Sequence, residues 1–491
     1  MARHGPSPDV DDQLQGSSHA NKAKLKNVGK VAPTESFPTF SATSTHPHHS
    51  PVQYPFHFRQ LSSSIPNLPA IMRSFSQVFS ATFLLAALFF ASTDAYAYDS
   101  RTASRPQVKG YYPSYNSDGQ PVSKIDWTAY TDVLYFMVIP QPDFTLSYDP
   151  KLTKAQGDKL VTEFVAAARK YKVNPLFSTG GWTGSRHFSN LTSTDAARKR
   201  FAQLLVQFGK KHGFVGIEMD WEYPNGEGIG CNSRNPADVV NFGLLVKEIR
   251  ALWPQASLTA AFGIGGLIGR AGTPATAMET ALLVQNLNYI NLMAYDVYGA
   301  WAPTTGPLAP IRATCAPAAF GQSVETGVQI ALKQGFKASQ VILGIPGYAK
   351  RLELVSPKLV VQNVKGHLTE YYQNHTSVTP PGGQFDDKPG KDICGNAQKW
   401  GGSFLVNELV SNGWLTKDQK HGAGGYTRYY DLCSGQPFLT NGKYFITYDD
   451  QFSTVDKAKF AKQNALGGIY FFDTQGPAPE TVRAARQALS N

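Results

Sequence analysis

The chain has 491 residues, a formal net charge of +10 and a hydrophobic fraction of 42%, which suits one large domain with an insertion or two domains. The basic surplus is dispersed, with 39 Lys or Arg against 31 Asp or Glu beyond Ala97, and no basic cluster interleaved with aromatic residues marks a nucleic-acid platform. Four cysteines without metal-ligand spacing give no zinc site.

Residues 1–71 carry scattered Pro, Ser and His without apolar periodicity, which predicts disorder and an upstream extension absent from the mature protein. Met72 then opens a second beginning. Arg73 supplies a positive start, Val78 to Ala91 is an apolar run, and Ala95-Tyr96-Ala97 is a small-x-small cleavage site, so residues 72–97 read as a secretory signal peptide. The run is shorter than the roughly 20 residues that span a bilayer, so no stable membrane anchor is expected. The mature chain is expected to begin near Tyr98 and to be extracellular. In an oxidising compartment the four cysteines predict two disulfides. Cys231 and Cys315 follow the fourth and sixth predicted strands, whereas Cys394 and Cys433 share one later segment, so the expected pairs are Cys231–Cys315 and Cys394–Cys433. Asn190 and Asn374 stand in Asn-x-Thr sequons and become glycosylation candidates.

From Tyr98 onward, short β-branched or aromatic runs alternate with longer amphipathic stretches. Strands are predicted at Val108–Pro113, Asp132–Ile139, Asn174–Gly181, Phe214–Glu222, Ser257–Gly263, Tyr289–Asp296, Val341–Pro346 and Gly468–Asp473. Helices are predicted at Asp195–His212, Pro236–Trp253 and Thr454–Asn464, the second with Asn235 as its cap and Pro236 in its first turn. This alternation predicts an α/β fold, a closed (β/α)8 TIM barrel over residues 98–491. The interval between the last two strands is too long for one helix and two loops. Residues 351–445, with their Gly/Pro clusters and two cysteines, are therefore expected to form a small α+β insertion.

The fourth strand carries the chemistry. Within Gly213 to Pro224, Glu218, Asp220 and Glu222 alternate with Ile217, Met219 and Trp221. Side chains two apart on a strand share a face, so three carboxylates stand in a row. Folding gains nothing from such a row. Mutual repulsion and partial burial raise at least one pKa and supply a protonated acid near neutral pH, as glycoside hydrolysis requires.

This stretch resembles the signature of glycoside hydrolase family 18, Asp-Gly-x-Asp-x-Asp-x-Glu. Four further segments resemble that family's landmarks in the expected order: Ser178-Thr179-Gly180-Gly181-Trp182, Met293-Ala294-Tyr295-Asp296, Gly344-Ile345-Pro346 and Gly467-Gly468-Ile469-Tyr470-Phe471-Phe472. The resemblance implies a chitinase that cuts β-1,4-linked N-acetylglucosamine polymers with assistance from the substrate's own acetamide. It implies Glu222 as general acid and base, Asp220 as acceptor of the acetamide N–H, and Tyr295 as donor to the acetamide oxygen, with Glu218 completing the row. Asp296, Phe472, Trp182, Trp301, Tyr223 and Tyr111 are the expected sugar contacts; Tyr298 is a further aromatic in the same region. The insertion is expected to wall one side of the groove. Chitin or chito-oligosaccharides are the implied partner, without metal or organic cofactor, and the chain is expected to be a monomer. Three positions depart from the family pattern: Val215 stands at its first Asp, Glu218 at its second, and Phe472 at its usual tryptophan. Two other readings therefore remain beside the hydrolase: a chitinase-like protein that binds chito-oligosaccharides without productive turnover, and an endo-β-N-acetylglucosaminidase.

Overall fold

The structure, a computed structural model, describes residues 105–490; the expected upstream extension (1–71) and the expected signal peptide (72–97) lie outside them. Eight parallel strands close into a barrel: β1 (Gln107–Pro113), β2 (Asp132–Pro140), β3 (Asn174–Gly180), β4 (Gly216–Asp220), β5 (Ser257–Gly263), β6 (Tyr289–Met293), β7 (Val341–Pro346) and β8 (Gly468–Phe472). Each pairs with its neighbours in sequence, and β1 pairs with both β8 and β2, which closes the ring. All eight predicted strands are present. The fourth is shorter than predicted because the chain leaves the sheet after Asp220, so Glu222 stands beyond the strand end.

Strands buried on both faces need apolar residues outward and filling side chains inward. On β4, Ile217 and Met219 pack with the helix-facing core, while Glu218 and Asp220 belong to the interior row. Crossover helices complete the outer layer. The helix Asp195–His212 shows why these residues are helical: Thr194 caps it by accepting from the Ala197 N–H, Asp195 lies in its first turn, and Lys210, Lys211 and His212 lie in its last. Its buried face is Phe201, Ala202, Leu205, Val206 and Gly209, and Gly213 ends it in the left-handed conformation with φ 77°. The helix Asp238–Leu252 begins later than predicted. Pro236 sits in the turn before it rather than in its first turn, with the Asn235 side chain accepting from the Ala237 N–H at 2.8 Å.

Between β7 and β8 the chain builds a five-stranded antiparallel sheet, ordered Ser403–Leu405, Tyr348–Glu353, Tyr444–Thr447, Gln436–Thr440, Thr427–Asp431. A short helix, Val406–Ser411, follows its edge strand. The sheet begins two residues after β7 ends, so its first strand continues directly from the barrel rim.

The disulfides differ from the sequence expectation. Cys231 pairs with Cys394, with Cα atoms 5.7 Å apart, and Cys315 pairs with Cys433 at 5.9 Å. Each bridge therefore ties a barrel loop to the insertion, spanning 163 and 118 residues of sequence respectively. Barrel closure brings the loops after β4 and β6 against different parts of the insertion, so neighbourhood in sequence was the wrong guide to neighbourhood in space.

Candidate functional site

The C-terminal ends of the strands open into a cavity of about 810 Å³, large enough for a ligand of oligosaccharide size. Asp220, Glu222, Tyr223, Tyr295, Asp296, Phe472, Tyr111 and Trp182 all line it. Glu218 lies immediately beneath, fully buried. Trp301 does not line the cavity. Its ring folds over Gly299, so close that a Cβ there would fall 2.3 Å from it, and it is 60% exposed to solvent. Tyr298 is likewise outside, buried in the core against Tyr372 and Phe320.

Strand register builds the acid row. Ser178 on β3 is paired with Glu218 and Gly180 with Asp220, so the Ser178 hydroxyl donates to the Glu218 carboxylate. From across the barrel, the Tyr111 hydroxyl donates to the other oxygen of Glu218 at 3.1 Å, and is itself held by the Asn291 amide at 2.8 Å. The additional methylene of Glu218 thus delivers its carboxylate to two donors. Gly180 has φ 112°, and a Cβ there would lie 2.2 Å from the Asp220 carbonyl, so a residue without a side chain is what lets β3 approach the row. Beyond the strand end, the Ser185 hydroxyl accepts from the Glu222 N–H at 2.9 Å and the Asn232 amide donates to the Glu222 carbonyl at 2.6 Å. Glu222 is only 9% exposed. Cis peptides at Phe136–Met137, Glu222–Tyr223 and Phe472–Asp473 all fall in the cavity wall.

Burial and mutual charge raise the proton affinity of every acid in the row. Burial lifts Glu218 to about 7 in spite of its two donors and the nearby Lys109. Asp220 is pushed well above the carboxylate range by burial and then by the Glu218 charge, and its Oδ1 has no hydrogen-bond partner among the described residues. Glu222 is also raised well above its ordinary value, chiefly by burial and then by Asp220, with Asp296 adding to the effect and the Tyr223 hydroxyl partly offsetting it. A buried carboxylic acid that keeps its proton at neutral pH is the equipment of a general acid.

Opposite the row, the Tyr295 and Tyr470 hydroxyls lie 3.0 Å apart. Phe472 lies between Tyr111, Phe136 and Tyr295, with ring centroids 5.4, 5.3 and 6.3 Å away. Asp296 takes the left-handed conformation at φ 56°, with the Tyr348 hydroxyl as its neighbour. Sequence reasoning missed several residues of the site. Tyr470, fully buried behind the wall beside Tyr295, was within reach, because a period of two along β8 places it on the same face as Phe472. Tyr348, Phe385, Phe404 and Leu405 enter the wall from the insertion, and no local pattern marks them.

The sequence model of a family described as "Glycosyl hydrolases family 18" matches residues 107–476. A protein described as a chitinase-like effector, from Moniliophthora roreri, is 33% identical over 372 residues, which is 75% of this chain and 89% of that one. A second chitinase-like effector, from Moniliophthora perniciosa, is 31% identical over 369 residues, covering 74% of this chain and 82% of its own. Among solved structures, a chitinase from Rhizomucor miehei superposes with a TM-score of 0.66 at 24% identity, covering 78% of this chain and 99% of that one; this likeness concerns the fold.

Proposed function

The chain belongs to glycoside hydrolase family 18, and from that premise we propose that it is a secreted protein that binds chito-oligosaccharides in the barrel cavity and hydrolyses them by substrate assistance. The observation that carries this reading is the union, in one cavity, of a buried protonated Glu222 with Asp220 and Tyr295. The acetamide oxygen attacks its own anomeric carbon while the glycosidic C–O bond breaks. Glu222 passes its proton to the departing oxygen. An oxazolinium ion and a free reducing-end product result. Asp220 accepts the acetamide N–H as charge develops on that group, and the Tyr295 hydroxyl donates to the acetamide oxygen. A water then attacks the anomeric carbon from the vacated side, giving a proton back to Glu222, and the acetamide is restored with net retention. Phe472, flanked by three aromatic rings, is the platform for the reacting sugar, and Trp182, 48% exposed at the rim, for a neighbouring one.

A second reading has its own support. Val215 packs among the apolar barrel residues Leu134, Leu176 and Ile342, where the family pattern places a carboxylate, and two relatives bear the description chitinase-like effector. Under that reading the cavity holds chito-oligosaccharides without cutting them. Turnover of soluble chito-oligomers, measured beside calorimetric binding on the secreted chain, separates the two: binding with turnover supports the hydrolase, binding alone supports the effector-like reading, and neither overturns both. Sequencing the secreted protein's N-terminus, expected near Tyr98, tests the leader.

A further inference from the structure

The sequon at Asn374 lies in the insertion, away from the cavity and unused by its chemistry. Asn374, His375 and Thr376 run extended against the end of the strand Tyr348–Glu353 and the two residues that follow it. Leu354 bridges antiparallel to His375, the Thr376 N–H donates to the Glu353 carbonyl at 2.8 Å, and the Val355 N–H donates to the Asn374 carbonyl at 3.1 Å. Residues directly opposite in such a pairing share a face, and the face alternates along each strand. Leu354 is buried, so Val355 and Asn374, one step along, form the pair turned outward. Both are exposed, Val355 by 64%.

Two more valines are fixed beside the same asparagine. The Val360 N–H donates to the Gln373 Oε1 at 2.9 Å and the Gln373 Nε2 donates back to the Val360 carbonyl at 2.9 Å, which clips Val360 to the residue before Asn374. On the other side, the Thr376 hydroxyl donates to the Val378 carbonyl at 3.1 Å. Val360 is 58% exposed and Val378 66%. Single exposed valines need no explanation, but three held round one residue make an apolar patch that calls for a cover. The other sequon has no such setting. Asn190 is exposed within the helix Phe188–Thr192, its neighbours Ser189, Leu191 and Thr192 are buried, and no exposed large apolar residue lies between Trp182 and Leu252 in sequence.

We propose that Asn374 carries an N-linked oligosaccharide whose first sugars lie over Val355, Val360 and Val378, so that the cover of this patch is the chain's own glycan. The proposal rests on the reading of the chain as secreted and is independent of whether the cavity cuts its ligand. In the modification, a bond forms from the Asn374 Nδ2 to the anomeric carbon of an oligosaccharide carried on a lipid diphosphate. The bond from that carbon to the phosphate oxygen breaks, and the lipid diphosphate leaves with the amide proton. The group added is bulky and solubilising. Its sugar rings offer C–H groups to the valines and hydroxyls to water.

The full chain is expressed in a eukaryotic secretory host, and the secreted protein is mapped by mass spectrometry before and after an amidase that releases N-glycans. Asn374 should be occupied. Asn374→Gln and Thr376→Val should each lose one glycan's mass, whereas Thr376→Ser, which keeps the sequon, should retain it. Without that glycan the bare valines should appear as self-association in size-exclusion chromatography and as increased binding of a hydrophobic-surface dye, with the affinity of the cavity for chito-oligomers unchanged. Adding Val355→Ser and Val360→Ser to Asn374→Gln should reverse both effects. If Asn374→Gln is not secreted, enzymatic removal of the glycan from folded Asn190→Gln protein gives the same comparison. Secreted protein with an unmodified Asn374 overturns this inference alone, whereas retention of the chain inside the cell overturns the secretion reading and this inference with it. Glycan-free protein that stays monodisperse and binds no more dye than the modified form also overturns it, because the patch then needs no cover.

Discussion

Replacing Glu222 by Gln isolates proton delivery from binding. The side chain is almost fully buried, and its backbone is fixed on both sides, the N–H by Ser185 and the carbonyl by Asn232. An amide of the same shape therefore occupies the same place but has no acidic proton to give. General acid catalysis contributes about 10²- to 10⁴-fold, which corresponds to roughly 3 to 5 kcal/mol of barrier. Turnover of a fluorogenic chito-oligomer should fall by that factor, while the dissociation constant measured by calorimetry should stay within about threefold. The wild type adds a pH signature. Burial and the Asp220 charge raise Glu222, so the acid form extends into the neutral range and turnover should decline as pH rises beyond it. Parallel loss of binding and turnover would refute the argument and make Glu222 a structural residue. Unchanged turnover in the variant would do the same by removing it from the reaction.

Tyr295→Phe removes a hydroxyl that lies 3.0 Å from that of Tyr470; turnover should drop by about 10²-fold with little effect on affinity, as for other single donors to a developing charge. Glu218→Asp withdraws the carboxylate from Tyr111 and Ser178, so steady-state kinetics and thermal unfolding should both show loss, not a return towards the family's behaviour. Peptide mapping without reduction should recover Cys231–Cys394 and Cys315–Cys433, and removing either bridge should cost about 2 to 5 kcal/mol in denaturant titrations, given the long loops enclosed. Burial raises Asp473 to about 6 as well as Glu218 to about 7. Both contributions are lost as pH rises through those values, so the unfolding temperature should be higher at pH 5 than at pH 7.5.

The strands and the acid row were legible because each rests on local pattern. Val341–Pro346 and Ser257–Gly263 fall where the apolar runs are bounded by turn residues, and Asp195–His212 carries both its cap and its left-handed glycine. Relations between distant segments were not legible in the same way. The disulfide partners, the Tyr111–Glu218 hydrogen bond across the barrel and the entry of Tyr348 and Phe385 into the wall all depend on closure of the ring, which no window of sequence contains. Trp301 shows the converse: an exposed aromatic in the right region still misses the cavity because the loop turns its ring onto Gly299.

Departure from a family pattern has two physical meanings, and this site separates them. Replacing a buried carboxylate by Val215 removes charge and surrounds the position with Leu134, Leu176 and Ile342, so an Asp restored there alone would enter an apolar setting at a cost of several kcal/mol. Lengthening Asp to Glu at 218 has the opposite character, because the structure supplies the donors that the longer side chain reaches. The two changes therefore cannot be reverted independently. If the site is a slowed enzyme, Phe472→Trp, which enlarges the sugar platform without disturbing the charged row, should raise turnover, whereas Val215→Asp should first destabilise the fold. A Val215→Asp variant as stable as the wild type and faster in turnover would show that the position had retained partners for a carboxylate, and the account of a reorganised row would fail.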